Sequence, residues 1–191
     1  MSSDFYILRK LISDDGLIFV KKNDYGKFFL ELSEPGIGGT GYKIQLLNPP
    51  TDTIAIKSDL FPPPRRIFKN TKGECRRADF VILSMDNKTN WMVYIELKLG
   101  NSESESKIIQ QLQGSKCFMD YCRAIGQTFW KDPKFLEKNN YKERFVTVKN
   151  IGANKKTLKH RRKPVLHDTP ENMLKISTPP SQRLQFKELL A

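Results

Sequence analysis

Apolar positions along this chain fall mostly in short runs, which predicts strands more than long helices. Leu17 to Lys22 and Lys27 to Leu32 read as two strands around Asn23-Asp24-Tyr25-Gly26, a turn sequence that closes a hairpin. Tyr42 to Leu47 and Thr53 to Lys57 predict two more. Phe80 to Leu83 is β-branched and aromatic. Asp86 to Asn90 is polar and turn-prone, and Trp91 to Leu97 is a second strand-length run. Arg144 to Lys149 predicts a further core strand and Asn172 to Ser177 a last edge strand. Helical spacing occurs at Phe5 to Ile12. It recurs over Ser106 to Cys122, where Ile108, Ile109, Leu112, Phe118, Met119 and Cys122 carry the apolar pattern. Ser102 or Ser104 would cap that helix. Gly114 inside it costs helix stability and permits close approach of backbone or ligand. Short helices are also expected near Pro133 to Lys138 and at the C-terminus, ending at Leu190.

The Phe80–Leu97 hairpin carries the chemistry. An antiparallel pair sets the start of its first strand beside the end of its second. Asp79 lies at that start, and Glu96 and Lys98 lie at that end. Side chains alternate along a strand, so Glu96 and Lys98 share a face while Leu97 points away. Opposed Cβ atoms are about 5 Å apart, close enough for Asp79 and Glu96 to share one small hard cation. Mg²⁺ suits two carboxylates because it takes oxygen ligands and keeps several waters. Such an ion would activate water and stabilise charge on a scissile phosphate. Lys98 would offset the phosphoryl charge and orient the water.

This arrangement resembles the PD-(D/E)XK nuclease superfamily: an Asp at the start of one core strand, (Asp/Glu)-x-Lys on the next, then a helix. Ala78 stands where the signature has proline. The resemblance covers mainly residues 74–125. It implies an α/β, restriction-endonuclease-like fold with a central mixed sheet flanked by helices, here with a β-rich N-terminal part. It also implies Mg²⁺ or Mn²⁺ held by Asp79, Glu96 and the carbonyl of Leu97. A helix glutamine in many members corresponds best to Gln113, with Gln110 as the alternative. A third, upstream acid is assigned to Glu74, with Glu31 and Glu34 as earlier acids.

With 191 residues the chain suits one domain. We read it as a β-rich part over 1–70, a catalytic core over 71–150 and a basic C-terminal segment over 151–191. Lys and Arg number 33 against 21 Asp and Glu, a net charge of +12, which favours a polyanionic partner. From Lys142 to Lys163 there are nine basic residues and one acid, Glu143. Lys159, Arg161, Arg162 and Lys163 within it, together with Arg65, Arg66, Arg76 and Arg77, are the expected nucleic-acid contacts. Phe61-Pro62-Pro63-Pro64 would stiffen the approach to the first two arginines. Gly36-Ile37-Gly38-Gly39-Thr40-Gly41 formally matches a dinucleotide fingerprint, but a strand follows where a helix is required, so it reads as a loop.

No apolar run of about 20 residues and no leader-like start are present, so no membrane partner is expected. Cys75, Cys117 and Cys122 lack metal-site spacing and read as thiols of a reducing cytoplasm, with Cys117 and Cys122 packing in a helix. Two histidines leave no convincing nucleophilic triad. The expected function is a metal-dependent nuclease acting on DNA, in antiviral defence or a mobile element by analogy alone. A homo-oligomer is compatible with this. The alternatives are an inactive nuclease-fold binding module and a structural component of a phage or ribonucleoprotein particle.

Overall fold

A computed structural model describes residues 3–34, 41–85, 88–99, 103–150, 165–178 and 182–191. Ten strands follow in chain order: β1 Leu17–Phe19, β2 Lys21–Lys22, β3 Phe28–Glu34, β4 Tyr42–Leu47, β5 Asp52–Lys57, β6 Phe80–Met85, β7 Asn90–Leu99, β8 Tyr141–Asn150, β9 Leu174–Ser177 and β10 Arg183–Gln185. The helices are α1 Ser3–Leu11 and α2 Glu105–Phe129. The architecture is α/β with two mixed sheets. The larger has six strands in the order β1-β5-β6-β7-β8-β9, and the smaller has four in the order β10-β4-β3-β2.

β7 is the centre of the design. It pairs antiparallel with β6 and parallel with β8. A parallel pair needs a long crossover, which α2 supplies. Alternation along β7 sends Met92 and Tyr94 into a core shared with α1 and α2. Val93, Ile95 and Leu97 point into a second core shared with the smaller sheet. Helices therefore cover one face of the six-stranded sheet and a second sheet covers the other, in place of the helices expected on both. The cause lies in β3 and β4, where Leu30 and Leu32 alternate inward opposite Ile44 and Leu46.

The predicted hairpin around Asn23–Gly26 forms through β2 and β3, with Lys22 opposite Phe28. Its first strand is split at Val20, so β1 joins the large sheet and β2 the small one. α2 runs to Phe129, seven residues past the expected end. The helix expected near Pro133 to Lys138 is instead a turn followed by the 3-10 helix Lys138–Asn140. Cys122 is buried but Cys117 is exposed, which corrects the packing role given to the latter. Burial pushes the Cys122 thiol up to about 12. Residues 1–70 give β1 and β5 to the sheet that holds the hairpin, and 165–191 give β9 to it and β10 to the other. The three expected parts thus interleave.

Gly114 is where α2 touches the chain just before β6. A Cβ there would sit 1.9 Å from the Arg76 carbonyl oxygen. Next to it, Ser115 Oγ accepts the Ala78 N–H at 2.8 Å. Alanine at Gly114 gains about 1 kcal/mol of helix propensity, yet overpacking against rigid backbone costs about 1–3 kcal/mol. We expect Gly114→Ala to lower stability on balance, by urea unfolding. A more stable variant would show that the contact yields freely.

Candidate active site

Two elements fix the Ala78–Asp79 peptide before β6 begins. Ser58, opening the 3-10 helix Ser58–Leu60, accepts nothing from it but donates twice: its N–H to Asp79 O at 3.0 Å and its Oγ to Ala78 O at 2.6 Å. Ser115 on α2 takes the Ala78 N–H, and its Oγ lies 3.1 Å from Ser58 Oγ. Pairing of Phe80 with Ile95 then sets Asp79 opposite Glu96. The two acids interlock. Glu96 Oε2 accepts the Asp79 N–H at 3.2 Å, and Asp79 Oδ2 accepts the Leu97 N–H at 2.7 Å. Asp79 is 5% exposed and Glu96 0%, so neither carboxylate has bulk water to solvate its charge.

Lys98 ion-pairs with Glu96 and, at 2.6 Å, with Glu103 just ahead of α2. The sequence-predicted trio is therefore one cluster. Around it lie acids that sequence reasoning did not favour. Glu34, at the end of β3, feels Lys98, Asp59 and Glu103, and in turn bears on Asp79 and Glu96. It lines a cleft of about 540 Å³ with Asp59, Tyr42, Lys57 and Phe80.

Burial, then the charges of Glu96 and Glu34, hold the Asp79 carboxyl well above the usual range. Burial pushes Glu96 up to about 7 against the downward pull of Lys98. Burial also raises Glu34, helped by Asp59 and Glu103. Lys98 loses solvation, but Glu96, Glu103 and Asp79 outweigh that and keep it firmly protonated. One ammonium thus faces the carboxylates of Asp79, Glu96, Glu34 and Glu103, so the site is short of positive charge.

Among the described residues, no group of three or more His, Cys, Asp or Glu side chains is arranged to hold a metal ion. A divalent ion here would have the Asp79–Glu96 pair as its side-chain ligands. The donor set fits Mg²⁺, which needs few protein oxygens and keeps its waters. Leu97, whose carbonyl the resemblance assigns to the metal, meets Asp79 through its N–H. Thr147, the register partner of Glu96 on β8, has a buried Oγ1 without a hydrogen-bond partner. Lys149 lies opposite Lys98 at the same sheet end.

Other expectations land elsewhere. Glu74 spends its carboxylate on the Thr71 and Lys72 N–H groups, at 3.1 and 2.8 Å, on an exposed loop. Glu34, not Glu74, is the upstream acid whose charge reaches the pair. Gln113 points out and donates to Glu171 at 2.9 Å. Gln110 packs against Gly73. Gln111 is the inward glutamine of α2, one turn before Ser115, with a buried amide oxygen that has no hydrogen-bond partner. The stripe Ile108–Leu112–Ser115 was the signal for it. Arg65 and Arg66 are exposed, whereas Arg77 is half-buried, over the Phe61 ring at 5.3 Å and donating to Glu74 O. Lys159, Arg161, Arg162 and Lys163, and most of the glycine-rich 36–41 segment, lie outside the described residues. No described helix is long and apolar enough to cross a membrane.

Comparison of the chain with family models, curated proteins and solved structures gives no match to any of them.

The raised acids have a consequence for stability. Their unfolded-state values are about 3.9 for Asp and 4.3 for Glu. Between those and the folded value near 7 for Glu96, the native state binds more protons, so stability falls as pH rises through that window. Asp79→Asn should stabilise the ion-free protein at pH 8, on the order of 1–3 kcal/mol, and flatten that decline. Millimolar Mg²⁺ should raise the wild-type melting temperature more than the variant's. An ion-free variant no more stable than wild type would refute the charge imbalance.

Proposed function

We propose that this protein is a metal-dependent nuclease whose site is Asp79, Glu96 and Lys98. The observation that carries the reading is the interlocked, solvent-excluded Asp79–Glu96 pair beside a doubly held lysine. A purely structural hairpin has no use for it, since burying two carboxylates side by side costs stability. The arrangement is similar to the PD-(D/E)XK pattern, and the mixed six-stranded sheet with α2 after the lysine strand is compatible with that fold.

Asp79 and Glu96 would hold a Mg²⁺ or Mn²⁺ ion, which when bound supplies Lewis acidity and an acidified water. Everything else falls to the protein. Leu97 N–H fixes one Asp79 oxygen and leaves the other for binding. Glu96 and Glu103 hold the Lys98 ammonium on the site face, where it offsets charge on the attacked phosphoryl group and orients the water. The net charge of +12 supports a polyanionic substrate, with DNA as the first choice.

A binding module without catalysis is the second reading. It is favoured by the lack of a third metal-ligating acid among the described residues. Purified protein with Mg²⁺ or Mn²⁺ against supercoiled DNA, linear duplex, single strand and RNA separates the two. Cleavage that EDTA stops, and that Asp79→Ala or Glu96→Ala abolishes with binding retained, is the expected outcome. Lys98→Ala should lose roughly 10²-fold or more in turnover. Binding without cleavage of any of the four substrates would leave the second reading.

A further inference from the structure

Between the 3-10 helix Ser58–Leu60 and Asp79, the chain makes a closed excursion over residues 60–77. Both its ends are tied at the acid pair through Ser58, Ala78 and Asp79. The excursion is internally ordered. Ile67 and Phe68 N–H groups both bond Pro64 O at 3.0 Å. Asn70, at φ 60°, accepts the Cys75 N–H, and Glu74 accepts those of Thr71 and Lys72. Gly73, at φ +85°, packs so closely on Gln110 of α2 that a Cβ would lie 2.6 Å from its side chain.

Phe61 of this loop turns inward onto Phe118, with ring centroids 5.2 Å apart, but the next large apolar residues do not. Ile67 is 79% exposed and Phe68 51%. Leu60 at its root is also exposed, and Tyr121 on α2, 6.0 Å from the Phe61 ring, is 54% exposed. Neighbouring apolar side chains held out on an ordered loop offer a surface for a partner. Their neighbours say which kind. Residues 60–77 carry Arg65, Arg66, Lys69, Lys72, Arg76 and Arg77 against one acid, Glu74, whose carboxylate is occupied by backbone. Cations interleaved with exposed apolar side chains match phosphates interleaved with bases. Duplex DNA hides its base faces, whereas a single strand offers them for stacking.

Resting on the nuclease reading, we propose that the 60–77 loop is the substrate-holding surface of the site and that it engages unpaired nucleotides. Bases stack on Phe68 with Ile67 alongside. Arg65, Arg66 and Lys69 take the flanking phosphates, so the strand runs toward Asp79.

The test uses full-length Asp79→Asn protein, in which cleavage does not consume the probe, and a fluorescent 12-nucleotide single strand. Phe68→Ala should weaken binding by about tenfold or more, the scale of losing one base–aromatic stack. Phe68→Trp should retain it. Arg65→Ala with Arg66→Ala should flatten the log–log salt slope by about 0.7 per lost phosphate contact. A blunt duplex of the same length should bind more weakly. If the Asp79→Asn protein binds single strands and neither variant changes the affinity or the slope, the surface is wrong. If blunt duplex binds as tightly, the substrate class is wrong. Should the parent chain cleave nucleic acid under Mg²⁺ in either case, the nuclease reading stands and this inference alone falls. No binding and no cleavage would remove both.

Discussion

The fold turns on one short stretch, the peptide between Ala78 and Asp79. The Ala78 N–H and the carbonyls of both residues are claimed by Ser58 and Ser115, side chains or backbone of two different elements, and the Asp79 N–H goes to Glu96. α2 can approach this closely only because residue 114 has no Cβ. These bonds fix where β6 starts, and the start of β6 fixes the register with β7. A slip of one residue would turn Asp79 to the opposite face from Glu96 and expose the apolar residues of the hairpin. The same stretch therefore determines both the packing of the large sheet and the encounter of the two carboxylates.

That encounter works against the stability of the fold. Two acids buried together, with Glu34 and Glu103 nearby and one lysine between them, form an arrangement that packing alone would not favour. Natural proteins keep such local conflicts chiefly at functional sites. The surrounding core is large enough to bear it, with fully buried Tyr94 stacked on Phe145 at 4.7 Å and leucine layers on both faces of the sheet. Protonation relieves the conflict, as the raised Asp79 and Glu96 carboxyls show.

The hairpin was legible in the sequence because everything that defines it is local. Alternation, turn residues and strand length lie within twenty residues, and the face of each acid follows by counting. Gly114 was legible as a close approach, though not which backbone it meets. Gln111 is not singled out by the sequence, and Glu34 stands there only as an earlier acid behind Glu74, for different reasons. Three glutamines in four positions differ only by helical phase, which the stripe Ile108–Leu112–Ser115 carries but which becomes decisive only once Ser115 is seen to meet Ala78, a tertiary contact. Glu34 reaches the cluster only because β3 belongs to a second sheet packed on the first, a long-range fact without a local signature. Glu74 is near Asp79 in sequence, but turn geometry draws its carboxylate to Thr71 and Lys72.

The two sheets consequently do more than share a core. Asp79, Glu96 and Lys98 come from the large sheet, and Glu34 from the small one. Asp59 comes from the 3-10 helix that anchors Ala78. Any shift of the small sheet along Val93, Ile95 and Leu97 would move the Glu34 charge relative to the buried pair. Because β1 and β2 are one strand divided at Val20, such a shift must bend the chain at that point. Packing of the second core and the electrostatics of the acid pair are therefore coupled through the backbone. The apolar contacts of Leu97 in the second core therefore help to set the charge balance of the carboxylates on the opposite face of β7.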